Sequence, residues 1–162
     1  MLSDISLSVS DLVGLAGRFE HLAYIKLESG NIIHKARALL AASEGRLTGV
    51  FGGNSGIFLP EEVEAGCCGT MPACYMPEVF RKTWDLLETG DMEAAHSWFL
   101  PFSRLAAYEK EVANRCVWKA LLVERGIIAS GAVREPVPAF ADDWQREQLL
   151  GVARRAGLFE QY

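Results

Sequence analysis

The stretch Leu22-Ala23-Tyr24-Ile25-Lys26-Leu27-Glu28-Ser29-Gly30 (residues 22–30) decides the fold. Leu22-Ala23-Tyr24-Ile25 is a short apolar run, ended by Lys26 and then by the loop Glu28-Ser29-Gly30-Asn31, which is the pattern of a buried strand. Helical periodicity flanks it on both sides. Ser8 or Ser10 is placed to cap a helix whose apolar stripe is Leu12, Val13, Leu15 and Ala16. Ile32 to Ala42 repeats the pattern with Ile32, Ile33, Ala36, Leu39 and Leu40 facing inward, and Gly45 ends it. Leu47 to Phe51 reads as a second strand, followed by the loop Gly52-Gly53-Asn54-Ser55-Gly56 and a helix around Leu59 to Ala65. Gly69 to Ala73 reads as a third strand. Strands alternating with helices imply parallel pairing through right-handed crossovers.

Beyond Pro77 the strands stop. Glu78 to Leu87 is helical with Phe80, Trp84 and Leu87 on one side; Gly90 stops it and Asp91 is placed to cap the next helix, which carries Ala95, Phe99, Phe102 and Ala106. A further helix spans about Lys110 to Arg125 on a stripe of Val112, Cys116, Ala120 and Val123. Arg134-Glu135-Pro136-Val137-Pro138 reads as a stiff extended linker. A last helix covers about Asp142 to Ala156. The expected organisation is a partial barrel over residues 1–76 and a helical extension of the same domain over residues 77–162. Three parallel strands cannot close a barrel, which needs eight strands and typically ~250 residues. An open three-stranded sheet leaves two unpaired edges. Either the strands form a small open α/β sheet, or the chain is part of something larger.

Composition narrows the function classes. The 162 residues are half hydrophobic, enough for a core, and the net charge of −5 argues against a nucleic-acid partner. No apolar run is long enough to cross a membrane, and the first residues lack the basic start and apolar stretch of a signal peptide, so a cytoplasmic protein is expected. Cys67, Cys68, Cys74 and Cys116 form no CxxC pair, and His21, His34 and His96 lie at no ligand spacing with them, so no metal site is expected. The cysteines read as small buried thiols.

Lys26 is out of place. The other lysines, Lys35, Lys82, Lys110 and Lys119, fall on helices, where long charged side chains lie on the solvated face. Lys26 comes directly off a buried strand, and sites in parallel α/β proteins are built at the C-terminal ends of strands. An amine attacks a ketone only when neutral, and burial disfavours the ammonium form. A desolvated strand-end lysine is therefore suited to Schiff-base chemistry. The plainer reading is a lysine that reaches solvent or pairs with Glu28. The Gly52-Gly53 turn lets backbone approach a small ligand closely, although many βα turns are glycine-rich.

Taken in order, these pieces resemble the second half of the dihydrodipicolinate synthase and N-acetylneuraminate lyase family. Tyr24-Ile25-Lys26-Leu27-Glu28-Ser29-Gly30 resembles its sixth barrel strand, Phe51-Gly52-Gly53-Asn54-Ser55 its seventh-strand turn, and Ala65-Gly66-Cys67-Cys68-Gly69-Thr70-Met71-Pro72-Ala73 its eighth strand. Gly90-Asp91, Trp118-Lys119, Arg125-Gly126-Ile127 and Arg134-Glu135-Pro136 are similar to features of its C-terminal helices. The resemblance covers roughly residues 5 to 158. It implies strands six to eight of a TIM (β/α)8 barrel followed by a helical C-terminal extension. Leu27 departs from the many members that carry an acid after the lysine. The family's threonine–glycine–glutamate turn and proton-relaying tyrosine belong to the other half of the barrel, and neither Tyr24 nor Tyr75 sits at a matching place.

The resemblance implies a Schiff-base-forming lyase or aldolase acting on pyruvate or a 2-keto sugar acid, without metal or organic cofactor. Lys26 would be the nucleophile, and Gly52 and the backbone around Met71 would line the keto-acid pocket. The expected partners are a small pyruvate-like 2-keto acid, a chain supplying the N-terminal barrel half, and further copies in a homo-oligomer. The other reading is a catalytically inactive remnant or non-catalytic subunit that works through protein contacts.

Overall fold

The computed structural model of the protein describes residues 7–112, 116–134, 136, 140 and 142–161. It divides into two compact units, Met1–Met71 and Pro72–Tyr162. The first holds the sheet and the second is helical.

In the first unit, helix α1 (Val9–Arg18) is capped by Ser8, whose hydroxyl accepts from the Asp11 amide while the Asp11 carboxylate accepts from the Ser8 amide. The chain then enters β1 (Tyr24–Lys26), α2 (Ile32–Ser43), β2 (Gly49–Gly52), a 3-10 turn at Asn54–Gly56, α3 (Leu59–Glu64) and β3 (Gly69–Thr70). The strands lie in the order β1-β2-β3, all parallel, as their alternation with helices implies. All three are shorter than expected: β1 and β2 begin later and end one residue further on, while β3 begins at Gly69 as expected and stops at Thr70. Ladder bonding nevertheless starts before β1 itself, since Thr48 N donates to Ala23 O at 2.8 Å.

Alternation along the strands sorts their side chains onto two faces. Ile25 and Val50 join Leu12, Ala16, Ile32, Ala36 and Leu39 in one apolar core beneath α1 and α2. Tyr24, Lys26 and Phe51 therefore occupy the opposite face, where the Tyr24 and Phe51 rings lie 5.6 Å apart.

Among the described residues, the second unit holds α4 (Pro77–Glu88), α5 (Met92–Val112), α6 (Cys116–Glu124), α7 (Asp143–Arg155) and a 3-10 turn at Leu158–Glu160. Asp91 caps α5 by accepting from the Ala94 amide at 3.1 Å, and Ala95 is fully buried one turn in. Lys110 belongs to α5 rather than opening α6, because the buried positions Phe99, Phe102, Leu105, Ala106 and Glu109 continue its inward face that far. The Val112 side chain, expected in the α6 stripe, lies outside the described residues, as do Glu135, Val137 and Pro138 of the expected linker. On α4, Phe80 and Leu87 are buried and Trp84 is half-buried. Val79 and Thr83 also face inward, and the Thr83 hydroxyl donates to Val79 O at 2.8 Å.

The cysteines depart from the expected burial. Cys67 and Cys116 are buried, but Cys68 and Cys74 are exposed. Burial pushes the Cys67 thiol up to about 11, with the nearby Glu62 adding to the effect.

Candidate functional site

Lys26, Gly52 and Met71 lie at the C-terminal ends of three adjacent parallel strands. Lys26 is the last residue of β1 and stands opposite Phe51 of β2. Gly52 ends β2 and stands opposite Thr70. Met71 directly follows β3, and its amide donates to Gly52 O at 3.0 Å. Leu27 N donates to Phe51 O at 2.9 Å, so the ladder holds all three strand ends in register.

The Lys26 side chain does not match the desolvated lysine expected from its neighbours. It projects from the face opposite the helices, 35% of it is exposed, and Nζ lies 3.1 Å from Glu28 Oε1. The buried strand residue is Ile25; alternation turns the next side chain away from the core.

The glycines of the β2 turn also have a different local reason. A methyl group on Gly52 would point to the helix face and lie 1.8 Å from Glu62 Oε2 and 2.0 Å from its Cδ. A methyl group on Gly53 would lie 2.5 Å from Glu28 Cγ and 2.9 Å from Leu27 O. Each glycine makes room for a glutamate, one on either side of the strand end. Asn54 and Ser55 then turn through positive φ, at 53° and 62°.

Glu62 is fully buried on α3. Burial raises its carboxyl to about 7; the Thr70 hydroxyl offsets part of this and the Glu61 charge adds to it. Among the described residues, neither Glu62 oxygen has a hydrogen-bond partner, and Thr70 Oγ1, near it but outside bonding geometry, has none either. Sequence reasoning missed Glu62, since Glu61-Glu62 reads as the ordinary acidic first turn of a helix. Glu28 was legible as a partner from its place two residues after Lys26.

In the second unit, Tyr75 is buried and donates to Glu109 Oε2 at 2.9 Å; the Trp118 indole donates to the other oxygen. Burial and the Glu109 charge hold the Tyr75 hydroxyl well above its ordinary range, so it is committed as a donor. Arg125 pairs with Glu78 at 2.6 Å and donates to Tyr75 O. Lys82 lies over the Trp98 ring at 3.5 Å, and Lys119 donates to Ala132 O.

Comparison with known proteins places these features in a family context. No family model matches. The chain is 29% identical over 153 residues to L-2-keto-3-deoxyarabonate dehydratase of Azospirillum brasilense, covering 94% of this chain and 49% of that protein. Its fold is similar to that of dihydrodipicolinate synthase from Rhodopseudomonas palustris, with a TM-score of 0.86 and 24% identity, over 95% of this chain and 52% of that one. A pyruvate complex of the Acinetobacter baumannii dihydrodipicolinate synthase matches at a TM-score of 0.80 and 24% identity, over 94% of this chain and 51% of that one. The chain thus spans about half the length of the relatives it matches. It resembles the C-terminal half of the dihydrodipicolinate synthase family, and its three parallel strands and following helices are part of a TIM-barrel fold.

Proposed function

We propose, from the premise that this chain carries the C-terminal half of a dihydrodipicolinate synthase-type barrel, that Lys26 is the imine-forming lysine of a lyase or aldolase for pyruvate-like 2-keto acids. The observation that carries this reading is the placement of Lys26, Gly52 and Met71 at the C-terminal ends of three adjacent parallel strands, held in register by the ladder. That is the end of the barrel where such folds build their sites.

The neutral Lys26 amine attacks the C2 ketone of the keto acid. Water leaves and a protonated imine forms, with the nitrogen retained on the protein. The imine accepts the electron pair released when C3 loses a proton or when a C3–C4 bond breaks, giving an enamine. Gly52 and the backbone at Met71 line the keto-acid pocket. No metal or organic cofactor enters these steps. In the chain by itself, the Lys26 side chain is partly open to water and Nζ lies 3.1 Å from Glu28 Oε1. Covering this sheet face with the N-terminal barrel half excludes that water from the site.

The Lys26–Glu28 contact favours a second reading, a non-catalytic subunit in which the lysine is an ordinary ion pair and the chain works through protein contacts. One assay separates the two. Pyruvate-dependent turnover is measured for the chain alone, for a chain carrying the N-terminal barrel half, for the mixture, and for the mixture with Lys26→Ala. Loss of general acid–base help alone costs about 10²–10⁴-fold, and lost orientation costs more, so the chain alone should be inactive. Activity is expected in the wild-type mixture only. An assembled mixture as active with Lys26→Ala as without it sinks the catalytic reading.

A further inference from the structure

The β2 turn is pressed from its helix side by a carboxyl group that the proposed chemistry does not use. Glu62 is fully buried; among the described residues both its oxygens are unpartnered, and the buried Thr70 hydroxyl in the same space is unpartnered too. The carboxyl lies where a Cβ on Gly52 would stand, so a larger residue there requires Glu62 to move. Gly52 is in turn bonded through its carbonyl to the Met71 amide.

We propose that Glu62 is a positioning residue: packed against Gly52, it supports the ends of β2 and β3 from the helix side and keeps the Gly52 and Met71 backbone groups in place. This rests on the reading of Gly52 and Met71 as pocket-lining residues.

The surroundings favour the uncharged form. A buried charge is costly unless paired, whereas a neutral acid needs only hydrogen-bonding partners. On α3 itself, Glu61 repels an ionised Glu62, and the other carboxyl, Glu64, lies on the exposed side. Cys67, at the approach to β3, is a thiol pushed up to about 11 and carries no charge at neutral pH. β2 and β3 contribute no titratable side chain; Thr70 offers a hydroxyl. On α2, which packs against α3, the titratable residues His34, Lys35 and Arg37 lie outside the buried stripe of Ile32, Ala36, Leu39 and Ser43. No cation on these elements is placed to neutralise Glu62. A small rotation of either side chain lets the acid proton bond with Thr70 Oγ1, which satisfies both orphaned groups. Ionisation removes that donor and leaves an anion against the β2 backbone.

The test is a pH titration by NMR of the labelled chain from about pH 5 to about pH 9, following side-chain carboxyl carbons and backbone amides. The Glu62 carboxyl carbon is expected to titrate with a midpoint near 7, away from the ordinary glutamate value of 4.5. The Gly52, Thr70 and Met71 amides are expected to move with that same midpoint, and Glu62→Gln should hold them still. The wild-type carboxyl carbon needs no variant, so the proposal is decided even where Glu62→Gln folds poorly. A Glu62 midpoint among the ordinary glutamates, or amide titrations unchanged in Glu62→Gln, overturns it. Failure of Lys26 to form an imine would remove the catalytic reading while leaving these midpoints as they are, so the two failures are distinguishable.

Discussion

At Gly52, one methyl group would collide with Glu62 Oε2 at 1.8 Å, and the obstruction is a fully buried side chain that must shift to admit it. Gly52→Ala should therefore destabilise the chain by about 1–3 kcal/mol, the usual range for overpacking. Glu62→Ala opens the space, so the double variant should recover part of that loss, with a coupling above ~0.5 kcal/mol. Thermal unfolding of the four proteins measures it; strictly additive effects would mean that the two residues do not share the space. Residues in this site differed in how far the sequence revealed them. Lys26 stood out because a charged residue ends a local apolar run. Its exposure did not, because alternation places it opposite the core that buries Ile25. The glycines were recognised as close-approach positions, but the approaching groups, Glu28 and Glu62, come from outside the turn. Their proximity exists only once β1, β2 and α3 have packed.

Among the elements, α5 shows what local pattern carries and what it misses. Asp91 was legible as its cap, and the Asp91 carboxylate does accept from the Ala94 amide. Asp91→Ala should lower stability by about 1 kcal/mol, the typical cost of losing such a cap. The thermal midpoint reads the loss, and Asp91→Ser should largely restore it; no change with Asp91→Ala would show that the helix end is held by packing instead. The far end of α5 was placed too early. Glu109 resembles a solvated charge in the sequence, yet it is buried and accepts from Tyr75 and Trp118. Those donors lie 34 and 9 residues away, so no helical periodicity reports them. The strands were identified in type and order because β-α alternation leaves few topologies. Their limits differ from expectation by up to three residues, as short apolar runs do not fix where ladder bonding stops.

For the whole molecule, the sequence posed the problem of three parallel strands with two edges, and the structure retains it. β1 and β3 are the outer strands of the described sheet, while the face carrying Tyr24, Lys26 and Phe51 lies opposite the helical core. The relatives this chain matches are about twice as long, and it covers about half of each. What remains most decisive is whether the strand-end lysine performs the chemistry its position suits. The direct measurement is reductive trapping: the chain, alone and mixed with an N-terminal barrel half, is incubated with pyruvate and borohydride, and the adduct is mapped by mass spectrometry. The expected adduct is on Lys26, strengthened in the mixture and abolished by Lys26→Ala and by Lys26→Arg, because arginine stays charged. An adduct found mainly on Lys82 or Lys119, or one that survives Lys26→Ala at the wild-type level, would contradict this assignment.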